Sequence, residues 1–302
     1  MRYCIPLYVF ISMSILLLPS CRPVSKQPSE VGSNSEEDEK NEPVVAPEVQ
    51  SVILASGETI GTRYRPTKAY NRSDEIRNSF AEYLRNLPLK PIGTLVKFYN
   101  GREKNNRNVY LGVVDLEIGK KNLHQCADAV MRLRAEYLWK EKNYNKIHFN
   151  FTNGFRVDYK EWMRGRRMIV EGNKTYWNDR TVASNTYEDF WNYMELVFMY
   201  AGTASLEKEM LSIPIAEAQI GDVLIQGGHP GHAVIIVDKI VNSLSGKARY
   251  ILAQSYMPAQ ELQILRNNNA DKITPWFSLE GDKIETPEWI FYGRDLRRFS
   301  KS

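Results

Sequence analysis

The stretch Gly221–Asp238, GDVLIQGGHPGHAVIIVD, restricts the fold more than any other part of the chain. Val223, Leu224 and Ile225 form a short apolar run, a Gly/Pro-rich turn follows, and Ala233 to Val237 form a second run. This pattern predicts two strands joined by a hairpin, with His232 at the mouth of the second, buried strand. A lone cysteine, Cys126, lies about a hundred residues earlier, where a helix is expected to begin. A thiol and an imidazole can thus come from two different rigid elements, which is the arrangement an activated nucleophile needs.

The N-terminus reads as a targeting segment rather than as part of the fold. Arg2 and the mostly apolar run Ile5 to Leu18 have the charged and hydrophobic regions of an export signal and are too short to span a bilayer. Residues 1–20 are therefore expected to be a signal peptide. Leu18-Pro19-Ser20-Cys21 resembles the lipobox of bacterial lipoproteins, which implies cleavage before Cys21 and lipid attachment to it. The alternative is an ordinary cleaved signal followed by a chance cysteine. Residues 21–50 are rich in Pro, Ser and Glu, include the run Glu36-Glu37-Asp38-Glu39 and have no hydrophobic periodicity, so they read as a disordered acidic tether. The expected location is the bacterial cell envelope, with membrane contact through lipid on Cys21.

The remaining residues, 51–302, are enough for one sizeable core and read as a single domain. The chain carries 40 Lys and Arg against 36 Asp and Glu; four of the bases and seven of the acids precede residue 51, so the body is net +7. Basic clusters at Lys120-Lys121, Arg164 to Arg167 and Arg297-Arg298 fit either solvated faces or contact with anionic envelope polymers. No nucleic-acid motif is present, and a monomer without nucleic-acid partners is expected. Of three cysteines, Cys4 leaves with the signal and Cys21 is the lipid site, so Cys126 is the single free thiol in an oxidising compartment. It fits a reactive group or a small buried hydrophobe.

Along the body, Ser73 reads as a helix cap with Ile76, Phe80, Tyr83, Leu84 and Leu87 on one stripe ended by Pro88. Thr94 to Tyr99 and Val109 to Leu116 read as strands about the Asn100-Gly101 turn. Asn122 followed by Gln125 gives a capping-box pattern, and Leu123, Ala127, Val130, Tyr137 and Leu138 continue a helical stripe, so Cys126 falls in the first turn. The positive helix end predicts a lowered thiol pKa there. His124 reads as a first-turn surface residue. Asn145 to Phe151 alternates as a half-buried strand with His148 facing solvent. Phe155 to Asp179 reads only as strands or loops, and Trp162 and Trp177 suit core cover or a sugar platform. Tyr187 to Met210 reads as one or two helices interrupted near Gly202.

Gly221-Asp222-Val223-Leu224-Ile225 followed by Gly231-His232-Ala233-Val234-Ile235-Ile236-Val237 resembles the signature of NlpC-like and CHAP-like papain-fold cell-wall hydrolases. The resemblance implies an α+β papain-like core, with the cysteine helix packed on an antiparallel sheet and with insertions. It also implies catalytic roles for Cys126, His232 and Gln254, the last in Tyr250-Ile251-Leu252-Ala253-Gln254. The departures are a long Cys-to-His interval, an extra turn at Asn242 to Lys247, and Gln-Cys-Ala-Asp-Ala where Asp-Cys-Ser is usual. Across the whole body, Leu84 to Lys90, Cys126 to Tyr137, Tyr200 to Leu206 and Ala253 to Gln260 resemble an uncharacterised bacterial lipoprotein family, domain of unknown function 4846.

The papain-fold resemblance implies thiol acyl transfer: Cys126 attacks an amide carbonyl, His232 holds the thiolate as an ion pair and later protonates the leaving amine, and Gln254 fixes the imidazole. Backbone N–H groups at the helix start supply the oxyanion hole. Strand alternation puts Gln254 with Leu252 and Tyr250, and His232 with Val234, so both side chains reach a common face. Gln254 also fits an ordinary strand residue, His229 is an alternative base on a flexible turn, and Asp222 supports its turn. Cys126, His229 and His232 make an incomplete zinc set, so no metal and no cofactor are expected. The expected function is a cysteine hydrolase cleaving amide bonds of cell-wall or envelope peptides. A lipoprotein of the same fold that binds a glycan or peptide without turnover, and a thiol acyltransferase, remain alternatives.

Overall fold

The computed structural model describes residues 51–300. The signal peptide, Cys21 and the acidic tether lie outside the described residues. The fold is mixed α+β, built on a nine-stranded sheet in which every pairing is antiparallel. Its central strand is His232–Asn242, flanked by Val223–Gln226 and Ala248–Gln254. Beyond these lie Leu296–Arg298 and Leu211–Ser212 on one side, and Gln263–Leu265 and Tyr110–Val113 on the other. Tyr70–Arg72 pairs with the far end of the central strand, and Trp276–Phe277 pairs with Ala248–Gln254.

The hairpin is where the apolar runs predict it. Ala233 to Val237 are wholly buried, as expected of a strand covered on both faces rather than one. The helix Cys126–Lys140 packs against this strand. The strand runs four residues past Asp238, whose buried carboxylate is held by Arg72 at 2.9 Å and Arg85 at 2.7 Å. Two guanidinium partners make that burial tolerable, since an unpaired charge there would be strongly destabilising.

Elsewhere the tertiary structure overrides local pattern. The helix expected from Ser73 begins only at Phe80, because Asn78 takes a left-handed conformation at φ 59° and Ser79 caps instead, its Oγ accepting the Glu82 N–H. Ile76, placed on the apolar stripe, is 82% exposed. Thr94 to Tyr99 is irregular and held by single bridges such as Phe98 to Gln260, and the strand after it shrinks to Tyr110–Val113. The unassigned stretch resolves into Arg156–Asp158, a short helix Tyr159–Met163, and a hairpin of Arg166–Glu171 with Lys174–Asp179. His148, expected to face solvent, is half-buried on His148–Asn150. The interruption near Gly202 separates Tyr187–Tyr200 from Thr203–Glu209.

The basic clusters are largely matched within the chain. Arg164 and Arg166 pair with Glu161, Arg167 with Asp189, Arg297 with Glu207, Arg298 with Asp222 and Lys121 with Glu195. Trp162 is a core residue with the Arg167 guanidinium 4.0 Å from its ring centre, not an open platform. Among the described residues no helix is long and apolar enough to cross a membrane.

Candidate active site

The helix carrying Cys126 starts at that residue, with Gln125 as its cap. The box sits three residues later than the sequence pattern suggests: the Asp128 carboxylate accepts the Gln125 N–H at 2.9 Å. Asn122 is left to do something else, and its side-chain oxygen accepts the Ala259 N–H at 2.7 Å. Ser255 adds a second tie, its buried hydroxyl shared between the carbonyls of His124 at 2.9 Å and Gln260 at 2.7 Å. The segment following Gln254 is therefore fastened to the loop that delivers Cys126.

His232 is the first residue of the central strand and Gln254 the last of its neighbour. The register bulges between Ile251 and Leu252, after which Leu252 lies opposite Ile236. Directly opposed residues share a face, so alternation carries Gln254 and His232 to the same side as diagonal neighbours. They meet: His232 Nε2 is 2.8 Å from Gln254 Oε1, with both side chains buried. His232 Nδ1 is buried with no hydrogen-bond partner.

Cys126 is 5% exposed and reaches the same region from the helix. Backbone N–H groups of Ala233, Ala127 and Cys126 itself act on the thiol, which puts it beside the residue that follows His232. Tyr256, its ring 4.8 Å from that of His232, lies near enough to Cys126 for a thiolate there to add to the rise of its phenol that burial and Glu288 cause. Among the described residues, Cys126 and His232 do not form a hydrogen bond with each other in this resting arrangement.

The protonation states correct the expectation of a lowered thiol pKa. Burial pushes the Cys126 thiol up to about 11, with the Asp128 carboxylate adding to the rise and the backbone N–H groups opposing it. Burial likewise lowers His232 to about 4, opposed by Gln254 and reinforced by Lys104. A helix end contributes about 0.3–1 kcal/mol, less than one pKa unit of about 1.4 kcal/mol, while burial moves a group by several units. Desolvation wins, and the resting pair is neutral thiol and neutral imidazole rather than an ion pair.

His124 is also corrected. It precedes the helix, is 1% exposed, and packs edge-on to Phe198 with both ring nitrogens unpartnered. Burial, with Arg132 nearby, drops it to about 3, although the Gln260 carbonyl lies close enough to favour its protonated form slightly.

An open cleft of about 260 Å³ borders the cysteine, lined by Gln125, Cys126, Thr203, His229, Gly231 and Met257. The exposed His229 lines this cleft from its turn, whereas the buried His232 does not line it. Asp222 braces its turn as expected, accepting the Gln219 N–H at 2.8 Å and pairing with Arg298. Among the described residues no three His, Cys, Asp or Glu side chains group to hold a metal ion.

Several neighbours of the site had no signal in the sequence. Gln254 Nε2 donates to Glu288 Oε2 at 2.6 Å, and Lys104 Nζ pairs with the same oxygen at 2.7 Å. Trp289 and Phe291 cover the His232 ring, at 5.3 and 5.9 Å between centroids. Trp289 Nε1 donates to Gln226, the residue opposite His232 on the adjacent strand. Lys104 and Glu288 lie in non-periodic segments far apart in the chain, so only the fold brings them together.

Residues 60–298 match the family described as domain of unknown function 4846. The chain belongs to that family. The match spans both ties and all three of Cys126, His232 and Gln254, so the site lies within the domain of unknown function 4846 itself. No curated protein and no solved structure matches the chain.

Proposed function

We propose that this member of the domain of unknown function 4846 family is a papain-like cysteine hydrolase, lipid-anchored through Cys21 at the bacterial cell envelope. Its substrates are amide bonds of envelope peptides, such as peptidoglycan stem peptides. The observation that carries the reading is the state of His232. The carbonyl oxygen of Gln254 can only accept, so at 2.8 Å it holds the imidazole proton on Nε2 and leaves Nδ1 as a buried, unpartnered base on the residue next to Ala233, whose backbone N–H acts on the Cys126 thiol.

In this mechanism Nδ1 takes the thiol proton as sulfur attacks the substrate carbonyl, because neither group is charged at rest. The S–C bond forms, and the oxyanion is held by N–H groups at the helix start. The imidazolium then protonates the amine as the C–N bond breaks, leaving a thioester on Cys126. Water, deprotonated by Nδ1, attacks the thioester, and the carboxylic acid departs as sulfur regains its proton. An amine in place of water gives acyl transfer from the same thioester.

A second reading is favoured by the protonation ranges themselves: a thiol near 11 beside an imidazole near 4 also suits a protein of this fold that binds its peptide or glycan without cleaving it. The test is to incubate the protein with stem peptides and follow new amine termini by mass spectrometry. The hydrolase reading expects cleavage that vanishes in Cys126→Ala and His232→Ala. Undiminished cleavage by Cys126→Ala sinks it, and binding without cleavage by the unmodified protein selects the second reading. Fatty-acid labelling lost in Cys21→Ala tests the anchor.

A further inference from the structure

The geometry points to Glu288, clamped by Lys104, as the positioning residue that decides which nitrogen of His232 carries the proton. This rests on the reading of His232 as the base of the Cys126 site. An amide such as Gln254 has a donating end and an accepting end, and nothing in its shape prefers one orientation over the other. Glu288 removes the ambiguity, because a carboxylate only accepts. With Gln254 Nε2 donating to Glu288 Oε2 at 2.6 Å, Oε1 must turn to His232. The ammonium of Lys104 lies 2.7 Å from the same oxygen, and the lysine is itself buried. Lys104, Glu288, Gln254 and His232 thus form a chain in which each group's role is set by the one before it.

The variants follow from the shared oxygen. Glu288→Gln puts a carbonyl oxygen, with lone pairs for both donors, in the place of Oε2 and should keep the proton on Nε2. Glu288→Leu removes the acceptor altogether, so nothing fixes which end of Gln254 faces His232, and the proton should divide between Nδ1 and Nε2.

The chain has only four histidines, so nitrogen-15 NMR of the histidine-labelled full-length protein reads the tautomer of His232 directly. The expected results are Nε2–H in the unmodified protein and in Glu288→Gln, and a mixture of the two tautomers in Glu288→Leu. Gln254→Met, which breaks the chain in the middle, should give a mixture. Nδ1–H in the unmodified protein overturns the assignment without any variant having to fold, as does Nε2–H retained unmixed in Glu288→Leu. Neither readout needs substrate. A tautomer that responds to Glu288 as stated, in a protein that cleaves nothing, keeps this assignment and removes the hydrolase reading alone.

Discussion

The hydroxyl of Ser255 lies 2.9 Å from the carbonyl oxygen of His124, tying the strand that ends in Gln254 to the loop that ends at Cys126. This contact aligns the two halves of the site. Neither partner touches the imidazole, but together they set where the helix begins relative to the strand end. Ser255→Ala leaves two buried carbonyls without their shared donor, and an unsatisfied buried group costs about 1–3 kcal/mol. Urea denaturation should show a loss of that size with an unchanged m-value. Cys126 should also react faster with alkylating agents, because the loop that buries it is no longer held.

Alkylation of Cys126 against pH separates a buried neutral thiol from a resting ion pair. A thiolate stabilised by imidazolium reacts at a rate that levels off below neutral pH. With the thiol held near 11, the rate should keep rising through pH 9 and 10. His232→Ala should leave that profile in place, since the neutral imidazole contributes no positive charge at these pH values. A plateau below about pH 8 would show that the pair is charged at rest.

His124 gives the fold an acid sensitivity of its own. Its folded pKa, about 3, lies below the ordinary histidine value of 6.5. Below pH 6.5 the unfolded chain therefore binds a proton that the folded chain refuses, and stability falls with pH until about pH 3. At pH 5 the linkage amounts to about 2 kcal/mol. His124→Phe should remove this slope, so that the variant gains on the unmodified protein at pH 5 and not at pH 8. Equal effects at the two pH values would mean that His124 is charged or solvated in the fold.

The sequence makes part of this site legible and hides the rest for identifiable reasons. His232 and Gln254 are readable because a period-2 strand fixes the face of every side chain, and the one bulge, at Ile251 and Leu252, leaves that parity intact. Cys126 is readable as a helix start, although the cap moves from Asn122 to Gln125 once Asn122 is recruited by Ala259. The burial of His124 depends on Ser255 and Phe198, both far along the chain, and a local pattern carries no information about them. The same holds for Lys104 and Glu288, an ion pair across 184 residues with no periodicity at either end. The thiol's protonation is misjudged for a different reason: the helix end is visible in the sequence, while the desolvation that outweighs it is a property of packing alone.

Two glycines at the cleft separate crowding from conformational freedom. A Cβ on Gly231 would lie 2.4 Å from Thr203 Oγ1, 2.7 Å from the Gly228 carbonyl and 2.8 Å from the Gln226 carbonyl. Two of those three neighbours are backbone, so they cannot rotate away, and the residue that would shift with Gly231 is His232. Gly202, which also lines the cleft, has an extended φ of −176° that any residue adopts, and a Cβ there meets nothing within 4 Å. Gly231→Ala should therefore cost about 1–3 kcal/mol, as overpacking does, and should move the His232 ring resonances. Gly202→Ala only exchanges one helix-capping residue for a poorer one, so its cost should stay below about 1 kcal/mol with His232 undisturbed. Denaturant titration of both variants, with the histidine spectra recorded alongside, checks the contrast. If Gly231→Ala is as mild as Gly202→Ala, the turn from Gln226 to Gly231 is looser than its contacts imply, and His232 does not owe its position to it.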